Sequence, residues 1–283
     1  MDDIPRIMIG IIHFLVALCG FLLLISISFI VISTRELRSV SSYRLLLQLN
    51  LAILVQVLVH MFTSIKTIFK LVFNTREEQL LGAIMNFSWM ATMTLNFLLA
   101  IERLCIIVFS KSDRRRPITS IAVTVIAWLP ASVVFAIDMS SYTGYVFSIL
   151  DSNWVYLEGQ WTGLAMRLEQ AVTFSTLIGA FASYLVIFAH IAMYRTNSQS
   201  KVEFRILFIS AISFLYIFGE ECFYQFGSSL IPGRSVAMIV NGLFTAYPLF
   251  CQIIHLVFNS KLRTLIMLKS TCTTNITSVS FRS

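Results

Sequence analysis

Long apolar stretches separated by short polar loops dominate the pattern of residues along this chain of 283 amino acids. A helix needs about 20 apolar residues to cross a bilayer, and seven stretches approach or exceed that length. Six run near residues 7–33, 44–65, 80–108, 118–137, 168–194 and 204–226, and the seventh begins near residue 235. The pattern predicts an all-α membrane protein built as a seven-transmembrane helix bundle.

The end of the chain departs from this pattern. Between residues 259 and 268, Leu262, Leu265, Ile266 and Leu268 share one helical face, which predicts a short amphipathic helix on the inner membrane surface. Residues 1–268 are therefore expected to form one membrane domain. The tail 269–283 is polar and hydroxyl-rich, which predicts a disordered cytoplasmic segment. Its Cys272 is a candidate for acylation, with a free thiol as the alternative.

Composition and charge agree with a membrane location. Hydrophobic residues make up 57% and charged residues 12% of the chain, against roughly 45–50% and 25% in soluble domains. The net charge of +7 could suggest a nucleic-acid partner, but its distribution follows a bilayer instead, with lipid as the expected partner. Most of the 21 Lys and Arg residues lie on the side of the first loop, and the exceptions are Arg6, Lys66, Lys70, Arg76, Arg167 and Arg234. The positive-inside rule predicts an outer amino terminus and a cytoplasmic carboxyl terminus.

Two adjacent charges end the third span. Glu102 and Arg103 follow about twenty apolar or small residues and precede a basic loop that contains Arg114 and Arg115. Ionised groups at this depth are costly unless they pair or meet water, so the two residues are interpreted as functional. The alternative is that Arg103 only snorkels to the interface, and the neighbouring acid disfavours it.

Polar and aromatic residues recur in the outer halves of several spans. Two neighbouring carboxylates, Glu220 and Glu221, cannot both be buried and ionised comfortably, so at least one is expected to face water, a cation or a ligand. Capping of the outer end of span six is an equal alternative. The candidate ligand-binding residues are Met85, Asn86, Trp89, Met90, Glu169, Glu220, Glu221, Tyr224, Asn241 and Thr245.

Other polar and aromatic residues favour a structural interpretation. Asn50 and Gln56 interrupt span two, where amides more often join helices than bind ligands. The aromatic residues of the loop 138–167 could contact a ligand, but a belt at the membrane interface is the commoner explanation. They are Tyr142, Tyr145, Trp154, Tyr156 and Trp161.

Enzymatic chemistry lacks its usual residues in this sequence. The four histidines divide into two towards each membrane face, which is too few for a histidine-built metal site. No nucleophile elbow, Cys/His pair or phosphate loop is present. Neither an enzyme nor a bound metal or cofactor is expected.

Four sequence segments carry a family resemblance: AIERLCII at the end of span three, NLA at 50–52, Trp128 in span four, and CQIIHLVFNSKLR at the end of span seven. Together with seven spans they resemble the rhodopsin-like G-protein-coupled receptors. The resemblance aligns Glu102, Arg103 and Leu104 with the family's acidic-Arg-aromatic triplet. It implies that Arg103 meets a G protein after span six moves away.

The chain also differs from the family pattern at several positions. Cys251 and Gln252 stand in place of Asn and Pro, and His255 stands in place of Tyr, in the span-seven motif. Val55 replaces the acidic residue expected in span two, and Glu78 replaces the cysteine expected near the start of span three. The span-six CWxP motif is absent. Such altered motifs resemble the nematode serpentine chemoreceptor families.

The resemblance implies a chemosensory receptor that binds a small extracellular molecule and activates a heterotrimeric G protein, in the plasma membrane or a sensory cilium. An arrestin-like protein is a further expected partner of the hydroxyl-rich tail. His255 is either a coupling residue or a satisfied core histidine. A seven-span transporter of a small solute is the alternative function. The expected coupling residues are Glu102, Arg103, His255, Arg114, Arg115, Lys201 and Arg205.

Overall fold

The computed structural model of the chain describes residues 3–108, 120–194, 200–230, 234–258 and 263–264. Within these ranges the chain forms α-helices and one small antiparallel sheet. The helices are α1 (Asp3–Ser33), α2 (Arg35–Arg38), α3 (Ser41–Phe69), α4 (Thr75–Ile107), α5 (Ser120–Asp138), α6 (Thr162–Tyr194), α7 (Ser200–Leu230) and α8 (Arg234–Phe258). The strands are β1 (Gly144–Ser148) and β2 (Asn153–Leu157).

Each predicted span coincides with one long helix. Among the described residues, α1, α3, α4, α6 and α8 are long and apolar enough to cross a membrane. The helix α5 adds a shorter apolar stretch, Thr124–Asp138, and α7 covers predicted span six. Large apolar side chains such as Leu22, Leu129 and Phe181 are exposed on the helices, as expected where helices face lipid. The chain is an integral membrane protein.

The helix α4 lies centrally and packs against α3, α5, α6, α7 and β1. Its first turn is fixed by a capping box, in which the Asn74 backbone N–H donates to the Glu77 carboxylate, 3.1 Å away. Four of the other helices and one strand therefore pack on this one element. Residues at its two ends can contribute to sites at both ends of the bundle.

Amides inside the bundle join neighbouring helices. Asn50 Nδ2 donates to Ser28 Oγ at 3.0 Å, and Gln56 Nε2 donates to Thr92 Oγ1 at 3.1 Å. In an apolar surrounding such bonds satisfy polar groups that would otherwise be costly to bury. Both contacts agree with the structural interpretation of these two residues.

The loop between α5 and α6 contains a β-hairpin, which the sequence analysis did not predict. The strands pair antiparallel, with Phe147 opposite Trp154 and Ser148 opposite Asn153, and Ser152 takes a positive φ of 49° in the turn. Five-residue strands are too short to give a strong alternation in the sequence. Backbone pairing satisfies the loop's N–H and C=O groups where it covers the bundle.

The aromatic residues of this hairpin pack inward. Tyr145, Phe147 and Trp154 are buried together with Val59 and Met85. The Tyr145 and Trp154 rings stack with centroids 5.5 Å apart. The interpretation as an interfacial belt was therefore wrong for Tyr145 and Trp154, because the hairpin turns them onto the helix ends. It stays open for Tyr142 and Trp161, which are exposed.

Several predicted features fall outside the described residues. These are Arg114, Arg115, Cys272, the tail 269–283 and most of the surface helix 259–268. Of that helix only Arg263 and Thr264 are described, and both are helical and exposed. Lys201 and Arg205 belong to the first two turns of α7.

Candidate functional site

A small cavity lies between the hairpin and the adjoining ends of four helices. Its volume is about 30 Å³, which is room for one or two water molecules. We call it the hairpin cavity. Its lining residues are Met85, Asn86 and Trp89 of α4; Tyr145, Asn153 and Trp154 of the hairpin; Glu169 of α6; Glu220, Glu221 and Tyr224 of α7; and Val240 and Phe244 of α8.

Three carboxylates line the hairpin cavity from two helices. Glu169, Glu220 and Glu221 are 8%, 6% and 5% exposed, respectively. None of the described lining residues is Lys, Arg or His. Ionised carboxylates in such a place need a positive or hydrogen-bonding partner, since burial removes the water that would stabilise them. The cavity therefore has a strongly acidic lining.

A short hydrogen-bond network supports one of these acids. The Tyr156 hydroxyl donates to Glu169 Oε2, and Asn86 Nδ2 donates to the Tyr156 hydroxyl at 3.0 Å. Asn86 also donates to Asp138 Oδ2 at 2.9 Å, which places a fourth carboxylate behind the lining. Burial, with the negative charges of Glu169 and Asp138, raises the pKa of Tyr156. The phenol therefore remains a proton donor at physiological pH.

Aromatic rings form the floor and one wall of the cavity. Trp89 meets Phe244 edge-to-face, with ring centroids 4.6 Å apart. Tyr145 and Trp154 close the hairpin side. Burial raises the pKa of Tyr145 well above its ordinary value, so its hydroxyl also stays neutral. The lining thus combines acidic groups with faces and edges of uncharged rings.

Seven of the ten candidate ligand-binding residues line this cavity, namely Met85, Asn86, Trp89, Glu169, Glu220, Glu221 and Tyr224. The structure places the other three elsewhere. Met90 is fully buried in the main core. Asn241 and Thr245 lie between α1, α3 and α8, where they contact His13 and His60 at 3.5 and 3.2 Å.

The rotation of α8 about its axis explains why Asn241 and Thr245 do not line the hairpin cavity. Val240 and Phe244 line the cavity, whereas Asn241 and Thr245, one position further along, do not. One residue turns a helix by about 100°, so neighbouring positions face different partners. Polarity had favoured Asn241 and Thr245, but these side chains instead contact the two histidines, and the Thr245 hydroxyl donates to the Asn241 backbone oxygen at 2.8 Å.

Sequence reasoning also missed the hairpin residues that line the cavity. For Tyr145 and Trp154 the sequence favoured an interfacial belt over a ligand contact, and for Asn153 it gave no prediction. The weak signal for them is the alternation of ring and smaller side chains in GYVFS and NWVYL, which is typical of strands. The turn residues Asp151 and Ser152 between these segments would have strengthened it.

A second cavity lies towards the opposite end of the bundle. Its volume is about 100 Å³, and its walls come from α3, α4, α6, α7 and α8. We call it the arginine cavity, because Arg103 lines it together with His255 and Tyr184. Asn96, Tyr247 and Gln252 also reach it. Two of the predicted coupling residues, Arg103 and His255, therefore face one polar space.

Glu102 behaves differently from its neighbour. It is 4% exposed, and neither carboxylate oxygen accepts a hydrogen bond from any described residue. The sequence predicted that Glu102 either pairs with Arg103 or meets water. The described contacts of Glu102 do not include a pair with Arg103. The adjacent loop with Arg114 and Arg115 lies outside the described residues.

Packed aromatic side chains separate the hairpin cavity from the arginine cavity. Phe244 lines the hairpin cavity and Tyr247 lines the arginine cavity, and the Trp89 ring contacts both, with centroids 4.6 and 6.5 Å away. Tyr247 in turn accepts a hydrogen bond from Asn96 Nδ2 at 3.1 Å. These contacts tie α4 to α8 at mid-depth.

The fold is that of a known class of membrane protein. The chain superposes on the crystal structure of squid rhodopsin with a TM-score of 0.80, covering 94% of this chain and 80% of that one at 15% sequence identity. No family model and no curated protein matches the chain in sequence. The structure therefore has a rhodopsin-like fold, established by shape alone.

Proposed function

We propose that the chain is a G-protein-coupled chemosensory receptor of the rhodopsin-like kind, similar to the nematode serpentine chemoreceptors. It binds a small extracellular molecule in the hairpin cavity and activates a heterotrimeric G protein beside the arginine cavity. The observation that carries the proposal is a pair of cavities with charged lining residues, one towards each end of the bundle, whose lining residues Phe244 and Tyr247 both contact Trp89.

The hairpin cavity supports ligand binding because its polarity is costly to the fold. Buried carboxylates are costly to a membrane protein, and Glu220 Oε2 accepts no hydrogen bond from the described residues. Acidic and aromatic side chains converge there from α4, α6, α7, α8 and the hairpin. Such convergence of a few polar groups in an enclosed, partly apolar space is typical of small-molecule sites.

The arginine cavity supports coupling to a partner protein. Arg103 is half-buried and faces a space large enough to rearrange, with His255 on the opposing helix α8. The basic residues at this end favour an acidic partner surface on the cytoplasmic side. Arg114, Arg115, Lys201 and Arg205 are proposed to contribute to that surface, and Glu102 to bias the position of Arg103.

The charge distribution supports an orientation in the plasma membrane with the amino terminus outside. In this orientation the hairpin faces the exterior and Arg103 faces the cytoplasm. The hydroxyl-rich tail is then available to kinases and to an arrestin-like protein, and Cys272 to acylation.

Transport of a small solute is not favoured by any described contact. A carrier needs a polar path that alternates between both faces, but a layer of packed rings at Trp89, Phe244 and Tyr247 separates the two cavities. The two functions differ in one measurable respect. A receptor gives a ligand-evoked G-protein signal without net uptake of the ligand.

The test is expression in cells that carry a promiscuous G protein, followed by a panel of volatile and water-soluble chemicals. We expect at least one chemical to evoke a signal, and Arg103→Ala at equal surface level to lose it. The matched control is Arg76→Ala, which removes an exposed basic residue from the hairpin end of the same helix α4. Uptake of the chemical without a signal, or an undiminished signal from Arg103→Ala, would overturn the proposal.

A further inference from the structure

Resting on the receptor function above, we propose that the hairpin cavity selects a small organic ammonium ion, that is, a protonated amine. The charge of the lining is the first reason. Glu169, Glu220 and Glu221 lie on it, and Asp138 lies behind it through Asn86. A cation placed among four acids, with no basic lining residue among those described, stabilises their ionised form, whereas a carboxylate ligand would add another negative charge.

One of these acids has an open acceptor. Glu220 Oε2 is buried and accepts no hydrogen bond within the described part of the chain, and its side chain lines the cavity. By contrast, Glu169 Oε2 already accepts a hydrogen bond from the Tyr156 hydroxyl. A buried acceptor without a donor is costly, and an ammonium N–H group placed in the cavity would satisfy it.

A buried lysine that contacts the hairpin is already engaged. Lys66 is held in an ion pair with Glu78, and its ammonium also donates to the backbone oxygen of Phe147 at 3.2 Å. It is not among the residues that line the hairpin cavity. Lys66 therefore does not supply a positive charge to the hairpin cavity.

The rings of the lining distinguish an organic cation from a metal ion. Trp89, Tyr145, Trp154 and Phe244 offer π-systems that attract ammonium groups and pack against their alkyl substituents. No group of three or more His, Cys, Asp or Glu side chains in the described residues converges closely enough to hold a metal ion. Acids spread around an aromatic wall suit a cation that carries an apolar body.

The small volume of the hairpin cavity limits the size of the ligand. A volume of about 30 Å³ accepts water but not an alkylamine, so the hairpin or an adjoining helix end must move when the ligand binds. Noncovalent contacts hold the hairpin, and no disulfide does so among the described cysteines. Small amines that need a modest expansion are therefore expected to bind best.

The experiment measures ligand-induced thermal stabilisation of the purified full chain in detergent, which requires no G protein. Two matched series are used: isobutylamine, isobutanol and isobutyrate, and 2-phenylethylamine, 2-phenylethanol and phenylacetate. We expect at least one amine to raise the unfolding temperature in a saturable manner, while the alcohol and acid of the same shape do not. The proposal would be overturned if the alcohol or the acid stabilised the chain as much as the amine did. It would also be overturned if no amine stabilised the chain.

A variant pair locates the effect. Glu220→Gln is expected to weaken the binding of the stabilising amine at least tenfold. Glu158→Gln, which removes an exposed carboxylate beyond β2, should leave it unchanged. Equal loss in both variants would contradict the assignment to this cavity. If Glu220→Gln does not fold, the amine-to-alcohol comparison in the unmodified chain still decides the question.

The stabilisation data and the G-protein assay together test the ligand class and the receptor function separately. An amine that stabilises the purified chain but evokes no G-protein signal supports the ligand class and counts against signalling. A signal evoked only by uncharged chemicals supports signalling and overturns the ligand class.

Discussion

The Lys66 ammonium forms an ion pair with the Glu78 carboxylate at the hairpin end of the bundle. The same ammonium donates a hydrogen bond to the backbone oxygen of Phe147, 3.2 Å away, so one side chain of α3 joins α4 and β1. Glu78 stands where the family resemblance places a cysteine. A noncovalent junction therefore holds the hairpin at that point.

Loss of this junction should destabilise the hairpin end. The side chains of Lys66 and Glu78 are only 3% and 14% exposed. Removing one partner of a buried ion pair costs about 3–5 kcal/mol, because the other charge is left buried. We expect Lys66→Met to lower the free energy of unfolding by an amount of this order, measured by thermal unfolding of the purified chain.

The control is Arg76→Ala, which removes an exposed basic side chain from the first turns of α4. The exchanged pair Lys66→Glu with Glu78→Lys should recover part of the lost stability. If Lys66→Met unfolded at the same temperature as Arg76→Ala, the junction would have no role in stability.

Gly82 permits the close approach of α4 to the hairpin. A Cβ atom at this position would collide with the backbone oxygen of Tyr145, which cannot move without the strand. We expect Gly82→Ala to displace β1 and to lower the free energy of unfolding by about 1–3 kcal/mol, as overpacking does in other cores. Hydrogen exchange of the amides of residues 144–157 should become faster.

Gly219→Ala is the comparison for Gly82→Ala. It adds the same methyl group to an α7 position where no atom lies within 4 Å. It should leave hairpin exchange unchanged, and a helix interior favours alanine over glycine by about 1 kcal/mol. Equal exchange rates in the two variants would show that the close approach is not required.

Tyr156 links the hairpin to the carboxylates. Tyr156→Phe removes the donor to Glu169 and the acceptor of Asn86 Nδ2, while the ring is retained. Each lost hydrogen bond in a buried network costs about 0.5–1.5 kcal/mol, more where a charged group is left unsatisfied. We expect a lower unfolding temperature, with the exposed Tyr142→Phe as the neutral comparison. An unchanged unfolding temperature would remove the network from the stability of this end.

Tyr247 joins the two central helices at mid-depth. Its hydroxyl accepts a hydrogen bond from Asn96 Nδ2 at 3.1 Å, and the residue is fully buried. Tyr247→Phe should lower the free energy of unfolding by about 1 kcal/mol, since Asn96 keeps its second bond to the Thr92 backbone oxygen. A double-mutant cycle with Asn96→Ala measures the coupling. Strict additivity of the two changes would contradict a direct interaction.

The helices could be predicted from the sequence because a bilayer sets their length and polarity. Apolar runs interrupted by polar loops gave all seven positions, with most bounds within a few residues of the observed helices. The hairpin could not be predicted with the same rule. Its strands are short and rest on the helix ends, where tertiary packing decides the structure.

The acidic residues of the candidate site could also be found from the sequence, because carboxylates are rare at membrane depth. Glu169, Glu220 and Glu221 were identified in this way, and all three line the hairpin cavity. The sequence could not show which of Phe244 and Thr245 faces the hairpin cavity. It depends on the rotation of α8 about its axis, which neighbouring helices determine and which polarity alone predicted wrongly.

Trp89 touches Phe244 on one side and Tyr247 on the other, and these two residues are three positions apart on α8, about 4.5 Å along its axis. One layer of aromatic rings therefore separates the hairpin cavity from the arginine cavity. In the proposed receptor, a ligand that binds against the Trp89 indole would lie one ring away from Tyr247 of the arginine cavity. A tilt of the Trp89 ring would then change the shape of both cavities together.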